Sequence, residues 1–318
     1  MAFATTSVAA VLTAMSGSDF LSSVDSSAEQ TAALLQLATQ LKQGDRRIDL
    51  GNRVLGLIFT KASTRTRVSF QVAMARLGGQ TVDLNPQVTQ LGRGEPLEDT
   101  ARVLSRFCDA LAIRTFAQQE LADYAHWASI PVINALTDLE HPCQALADFL
   151  TMQEAFGDLQ GQTLAYVGDG NNVAHSLMLC GALLGVNVRI GCPEGFEPLP
   201  GVVDQAHSLA VNGAQISVIT DPVEAVRGAQ ALYTDVWASM GQEQEQAERE
   251  RAFQGFCLNE ELLAEADPRA IVLHCLPAHR GEEISAGAME GPSSRIFDQA
   301  ENRLHAQQAL LAALLGGL

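Results

Sequence analysis

Apolar residues in this chain fall in short unbroken runs of strand length, and most runs are followed by a polar turn and then by apolar positions at helical spacing. The clearest case is Val54-Leu55-Gly56-Leu57-Ile58-Phe59, after which Val68, Phe70, Val72, Met74, Ala75 and Leu77 repeat as on a helix until Gly78-Gly79. Upstream, Ala32, Ala33, Leu35, Leu37, Ala38 and Leu41 predict an amphipathic helix from Ser27 to Leu41, ended near Gly44-Asp45. Further strands are predicted at Thr81–Leu84, Ala110–Thr115, Pro131–Asn134, Leu164–Gly168, Asn187–Ile190, Ile216–Thr220, Ala231–Thr234 and Ile271–Leu273. Between them lie helical patterns at Leu97–Phe107, Glu120–Trp127, Ala145–Phe156, Val173–Leu184, Val202–Val211 and Pro222–Val226, and Leu304–Leu315 closes the chain. Strands that alternate with helices in this way imply parallel sheets joined by right-handed crossovers.

The fold class expected is therefore α/β, and the 318 residues suggest two domains of about 150 each. Gly157-Asp158 and Gly161 mark the boundary, giving 1–156 and 157–302, each a parallel sheet flanked by helices, with the helix ending at Phe156 as connector. Residues 1–27 are small and polar and are expected to be loosely ordered. They lack the basic n-region of a signal or transit peptide, and no stretch approaches the roughly 18 apolar residues of a membrane span.

Charge sharpens the search for chemistry. The formal net charge is −17, from 37 acidic against 20 basic residues, which argues against general nucleic-acid or anionic-membrane binding. An anion site in such a chain must be a local positive pocket, so the arginine positions are informative. The six cysteines (108, 143, 180, 192, 257 and 275) form no CxxC pair and suggest neither a zinc cluster nor a disulfide scaffold. A reducing compartment, the cytoplasm, fits them best.

Between the first strand and its helix, the hydroxyls of Ser63, Thr64 and Thr66 and the guanidiniums of Arg65 and Arg67 crowd one helix start. Unpaired N–H groups and the positive dipole end favour an anion there, phosphate first. Ser and Thr also favour caps, so an N-capped helix with surface arginines accounts for the same residues. Arg114 ends a strand, where ligands of open parallel sheets sit, while His141 and Gln144 stand at another helix entrance, facing either a ligand or solvent. Gly168-Asp169-Gly170 begins a dinucleotide-type turn but lacks its third glycine. Asp235 ends a strand before Ser239-Met240-Gly241, a loop able to fold over a ligand, and His274-Cys275-Leu276-Pro277 follows the last strand.

Taken in order, Ser63-Thr-Arg-Thr-Arg67, His141-Pro-Cys-Gln144, Asp235-Val-Trp-Ala-Ser-Met-Gly241 and His274-Cys-Leu-Pro277 resemble the aspartate/ornithine carbamoyltransferase family, over nearly the whole chain after about residue 28. The last two motifs look like its ornithine branch. The resemblance implies that the first half binds carbamoyl phosphate and the second L-ornithine, that the C-terminal helix (303–318) returns to the first domain, and that the chain forms a homotrimer with sites between subunits. It further implies carbamoyl phosphate contacts from Ser63, Thr64, Arg65, Thr66, Arg114, His141, Gln144, Cys275, Leu276 and Arg303, with Gln90 reaching in from a neighbouring subunit. Ornithine would be held by Asn172, Asp235, Ser239 and Met240, and Arg114, His141, Asp235 and Cys275 would act in catalysis. No metal or cofactor is expected. Putrescine or acetylornithine as acceptor is the alternative within the enzyme class; a small-molecule-binding protein or a nicotinamide-dependent dehydrogenase would suit the two-domain pattern but not these residues.

Overall fold

In a computed structural model of the protein, residues 7–85, 94–238 and 246–318 are described. The chain divides into two compact units, one running to Leu150 and regaining Asn302–Leu318, the other comprising Thr151–Glu301. The first part of the chain contains α1 (Val8–Thr13), α2 (Ala28–Gln43), β1 (Val54–Phe59), α3 (Arg65–Arg76), β2 (Gln80–Leu84), α4 (Leu97–Leu104), β3 (Ala110–Arg114), α5 (Gln118–Trp127), β4 (Val132–Leu136) and α6 (Pro142–Phe156). Then follow β5 (Thr163–Val167), α7 (Asn172–Leu184), β6 (Asn187–Gly191), α8 (Pro200–Leu209), β7 (Ile216–Ile219), α9 (Pro222–Val226) and β8 (Ala231–Thr234). The remainder is α10 (Gln246–Ala252), α11 (Glu260–Ala264), β9 (Ile271–His274), α12 (Ala286–Glu290) and α13 (Ile296–Leu314).

Both sheets are parallel, as the alternation predicts, with strand orders β2-β1-β3-β4 and β7-β6-β5-β8-β9. The order reverses between β1 and β3 in one sheet and between β5 and β8 in the other. Ligands of open α/β sheets bind beyond the strand ends at such points. The strands there read as near-continuous apolar runs because helices cover both faces: β3 and β5 are buried at every position. In the first unit Ile58, Leu111, Ile113, Leu121 and Tyr124 pack together; in the second Val167, Leu232, Phe253, Val272 and Ile296 do. The β3–β4 register shifts between Ile113 and Arg114, a local irregularity that re-aims the side chain at the strand end.

Two expectations are corrected. The start of the chain is ordered from Ser7 onward, since Ser7 caps α1, Leu12 and Phe20 are fully packed, and Phe20 N–H donates to Val132 O at 2.8 Å. Phe20 also bridges to Ile133 as an added short strand. The closing helix begins at Ile296, eight residues before the predicted Leu304, because Gln299, Asn302, Arg303 and His305 are buried polar residues that interrupt its apolar period. From Asn302 the helix belongs to the first unit: Lys42 Nζ donates to Asn302 Oδ1 at 2.8 Å, and Gly17 N–H to Leu314 O at 2.9 Å. Among the described residues no helix is long and apolar enough to cross a membrane.

Candidate active site

In the first unit the switch point gathers the basic residues. β1 delivers the chain to Ser63 and Thr64, and α3 starts at Arg65 with Thr64 making no side-chain cap to its first turn. The N-capped reading of that segment is thereby lost, and the start of the helix keeps its attraction for an anion. Thr60 ties this turn to the neighbouring strand end, its N–H and hydroxyl donating to Arg114 O at 3.0 and 3.1 Å. Thr66 is buried, and its hydroxyl accepts from the guanidinium of Arg303, itself only 3% exposed. Arg67, in contrast, leaves the cluster: it pairs with Asp83 on β2 and lies over the Phe59 ring.

His141 is 4% exposed at the entrance of α6. Burial drives its pKa well below the ordinary imidazole value of 6.5, and the charges of Arg303, Arg114 and Arg65 push it further the same way. The ring is thus neutral, with three guanidiniums acting on it, although the chain as a whole is strongly acidic. Such a centre favours a bound anion and offers a neutral hydrogen-bond donor beside it. Gln144, one turn along α6, donates its amide to the buried Asp148 at 2.8 Å. Lys61, whose ammonium lies 3.9 Å from the Phe116 ring centre, is held below its usual range by burial and by Arg114.

In the second unit the switch point carries a carboxylate instead. Asp235, buried just beyond β8, accepts from Cys275 Sγ–H at 2.9 Å and from Asn171 Nδ2 at 3.0 Å. Asn171 uses its other amide atom to cap α7, accepting from Val173 and Ala174 N–H at 2.9 and 3.2 Å. The turn is tight because Gly170 lies against the Glu197–Pro198 backbone: a Cβ there would stand 2.2 Å from Pro198 N. Beyond β9, His274 Nδ1 accepts from Leu276 N–H at 2.8 Å while its Nε2 faces Glu283 Oε1 at 3.1 Å. These bonds support Leu276 in a left-handed conformation, φ 62°, that a branched side chain rarely adopts.

Of the predicted residues, Arg65, Thr66, Arg114, His141 and Arg303 are brought together in the first unit, with Ser63 and Thr64 on the same turn and Gln144 one turn beyond His141. Asp235 and Cys275 are in contact in the second, Leu276 follows, and Asn172 opens α7. Gln90, Ser239 and Met240 lie outside the described residues. Sequence reasoning missed Asn171, Asp148 and Arg249. An Asn at the start of a predicted helix is a cap signal that singles out Asn171 over Asn172. Arg249, within a stretch that reads as merely charged, is buried and donates to Asp169 Oδ2 and Trp237 O, each at 2.8 Å.

Asp235, His274 and Cys275 place three ligand-type atoms within 4.8 Å of one another, as do His279, Glu282 and Glu283. His274 already uses one ring nitrogen on Leu276 and the other on Glu283, so a metal there would have to displace a hydrogen bond. The six cysteines are thiols, four of them buried.

Comparison with known proteins yields the same division of labour. Residues 18–154 match the family model described as the aspartate/ornithine carbamoyltransferase carbamoyl-P binding domain, and residues 160–314 match that family's Asp/Orn binding domain. The chain is 84% identical over 311 residues to the ornithine carbamoyltransferase of Prochlorococcus marinus (strain MIT 9313), covering 98% of each chain. It is 82% identical over 318 residues to that of Parasynechococcus marenigrum (strain WH8102), covering both chains completely. Among solved structures, the ornithine carbamoyltransferase from Pyrococcus furiosus superposes with a TM-score of 0.91 at 48% identity, over 96% of this chain and 99% of that one. The enzyme from Gloeobacter violaceus gives 0.86 at 57% identity, over 94% and 98%. With Arg65, Arg114 and His141 inside the first matched segment, and Arg303 and the Asp235–Cys275 pair inside the second, the chain belongs to the aspartate/ornithine carbamoyltransferase family.

Proposed function

We infer that this chain transfers the carbamoyl group of carbamoyl phosphate to the side-chain amine of L-ornithine, giving L-citrulline and phosphate. The family and the curated relatives support the reaction. The choice of acceptor is carried by one observation: the second switch point presents a buried carboxylate, Asp235, held by a thiol and an amide. A carboxylate there suits an amine and repels a dicarboxylic acceptor such as aspartate.

In this proposal the first unit grips carbamoyl phosphate. Hydroxyls of Ser63, Thr64 and Thr66 and the backbone N–H groups of the α3 start surround the phosphate, and Arg65, Arg114 and Arg303 neutralise it as it leaves. Neutral His141 donates to the carbonyl oxygen as that oxygen gains charge in the tetrahedral intermediate; one such donor is worth about 3 kcal/mol. Gln144 accepts from the carbamoyl NH2. Ornithine arrives with its amine protonated, near the ordinary alkylamine value of about 10.4, and an ammonium has no lone pair to attack with. Asp235 and Cys275 orient that nitrogen and relay its proton, so the neutral amine forms the new C–N bond and the C–O bond to phosphate breaks with its electrons. Cys275 and Leu276 also meet the carbamoyl group, Asn172, Ser239 and Met240 hold the amino-acid end of ornithine, and Gln90 comes from a neighbouring subunit.

We place the reaction in the cytoplasm, in arginine biosynthesis, and the working assembly as a homotrimer. Sedimentation equilibrium tests the assembly, a mass of one chain refuting it. Citrulline release from carbamoyl phosphate with ornithine, putrescine or aspartate as acceptor tests the function; turnover with aspartate or putrescine and none with ornithine would overturn it.

A further inference from the structure

Asp148 belongs neither to the basic cluster nor to the Asp235–Cys275 pair, yet it is an ionisable group placed close behind the first of them. It is fully buried on α6, one turn beyond Gln144, which is one turn beyond His141. A carboxylate accepts hydrogen bonds and does not donate them, so at 2.8 Å the Gln144 side chain must turn its NH2 toward Asp148. Its oxygen is thereby pointed the other way. Gln144 Oε1 is buried and has no hydrogen-bond partner among the described residues. A buried acceptor without a donor is costly, and that cost is removed by a partner that brings an N–H or O–H to it, whether a water or a ligand.

We propose that Asp148 is a positioning residue that locks the Gln144 amide in one orientation, so that the site offers an acceptor, never a donor, to the group attached to the phosphate. The proposal rests on the carbamoyl-transfer reading above and extends it to selectivity among acyl phosphates. Carbamoyl phosphate and acetyl phosphate have the same shape and charge, differing by NH2 against CH3. The arginines and the α3 start grip the shared phosphate and cannot tell them apart. Gln144 Oε1 can, because only the carbamoyl NH2 satisfies it. The amide reads the ligand correctly only while its own rotation is fixed, and a flipped amide would set NH2 against NH2.

Asp148→Asn tests this, since the amide it introduces is able to donate to Gln144 Oε1 and so allows the flip. Three constants are read on the purified full chain: the KM for carbamoyl phosphate, and the inhibition constants of acetyl phosphate and of inorganic phosphate. The expected result is a rise of about tenfold in the carbamoyl phosphate KM with the two inhibition constants unchanged, the size of one neutral hydrogen bond in a buried site. Asp148→Ala, which leaves the Gln144 amide unanchored, narrows the same preference by a different route and serves if the first variant does not fold. Adding Asp148→Asn to Gln144→Met should leave the preference where Gln144→Met alone puts it. Equal weakening of all three ligands, or an unchanged ratio in a folded variant, overturns the proposal. Absence of citrulline from the unaltered protein would instead overturn the reaction on which it rests.

Discussion

The starts of α3 and α7 occupy equivalent places, each just beyond the strand at which its sheet order reverses, yet they are finished with opposite materials. At α3, Thr64 supplies no cap, the first turn carries Arg65 and Arg67, and Arg114 and Arg303 bring charge to the neighbouring His141. At α7, Asn171 takes up the N–H groups of Val173 and Ala174, and a carboxylate stands beside it. Topology makes both points candidate ligand sites. In the proposed reaction, the contrast lies in whether the helix start keeps its donors for the ligand or surrenders them to a side chain.

The harshest way to break the contrast is Arg65→Ala, which removes a guanidinium from the open helix start. About a thousandfold loss in kcat/KM for carbamoyl phosphate is expected, the value of losing charge-assisted hydrogen bonds to a dianion; turnover like the parent's at ordinary substrate concentrations would remove Arg65 from that role. Asp235→Asn strikes the other start. There kcat should fall about a hundredfold while binding of carbamoyl phosphate, followed by calorimetry, stays as it was. Parallel loss of that binding would mean the two starts are not separable.

Cys275→Ser is expected to cost about tenfold in kcat and to displace the pH profile, because a hydroxyl replaces the thiol that donates to Asp235. A profile superimposable on the parent's would take Cys275 off the proton path. Smaller still is the effect of His141 on stability. Its folded-state pKa lies below 6.5, so as pH falls the unfolded chain takes up the proton first. The stability this group contributes is complete above about pH 6.5 and is lost below it by up to about 1.4 kcal/mol per pH unit. Urea unfolding at pH 7.5 and 5.5 should show that slope in the parent and a flatter one in His141→Gln. Last comes Asn171→Ala, about 1 kcal/mol in thermal unfolding from the lost α7 cap.

How much of this was legible in the sequence follows from what each residue does. Every predicted strand is present; central strands such as β3 and β5 are apolar runs because they are buried on both faces, while β2 at a sheet edge stays largely exposed. Arg65, Arg114, His141, Asp235 and Cys275 were legible as candidates because they stand at strand ends and helix starts, where motifs are local. Their contacts were not. The Thr66–Arg303 and Cys275–Asp235 bonds join residues 237 and 40 positions apart, and no periodicity encodes them. Asp148 and Asn171 were hidden for another reason: each bonds to a second side chain, and on α6 the carboxylate lines up with the buried Gln144 and Thr151, a polar row that no apolar period reveals. The start of α13 was hidden by its own buried polar residues, which imitate an exposed segment.

The ordered start of the chain has a practical reach. Glu140, adjacent to His141 and almost wholly buried, accepts from the hydroxyl of Ser22 and from both the N–H and the hydroxyl of Ser23, the latter two at 3.1 and 2.7 Å. Trimming the protein back past Ser23 would take three donors from a buried carboxyl group beside the imidazole, and leaving one buried acceptor without its donor costs about 1–3 kcal/mol. A fusion partner or affinity tag joined ahead of Ser7 leaves those donors in place. The serines near residue 22 are the first point at which shortening this protein would strip hydrogen bonds from the residue next to His141 in the candidate site.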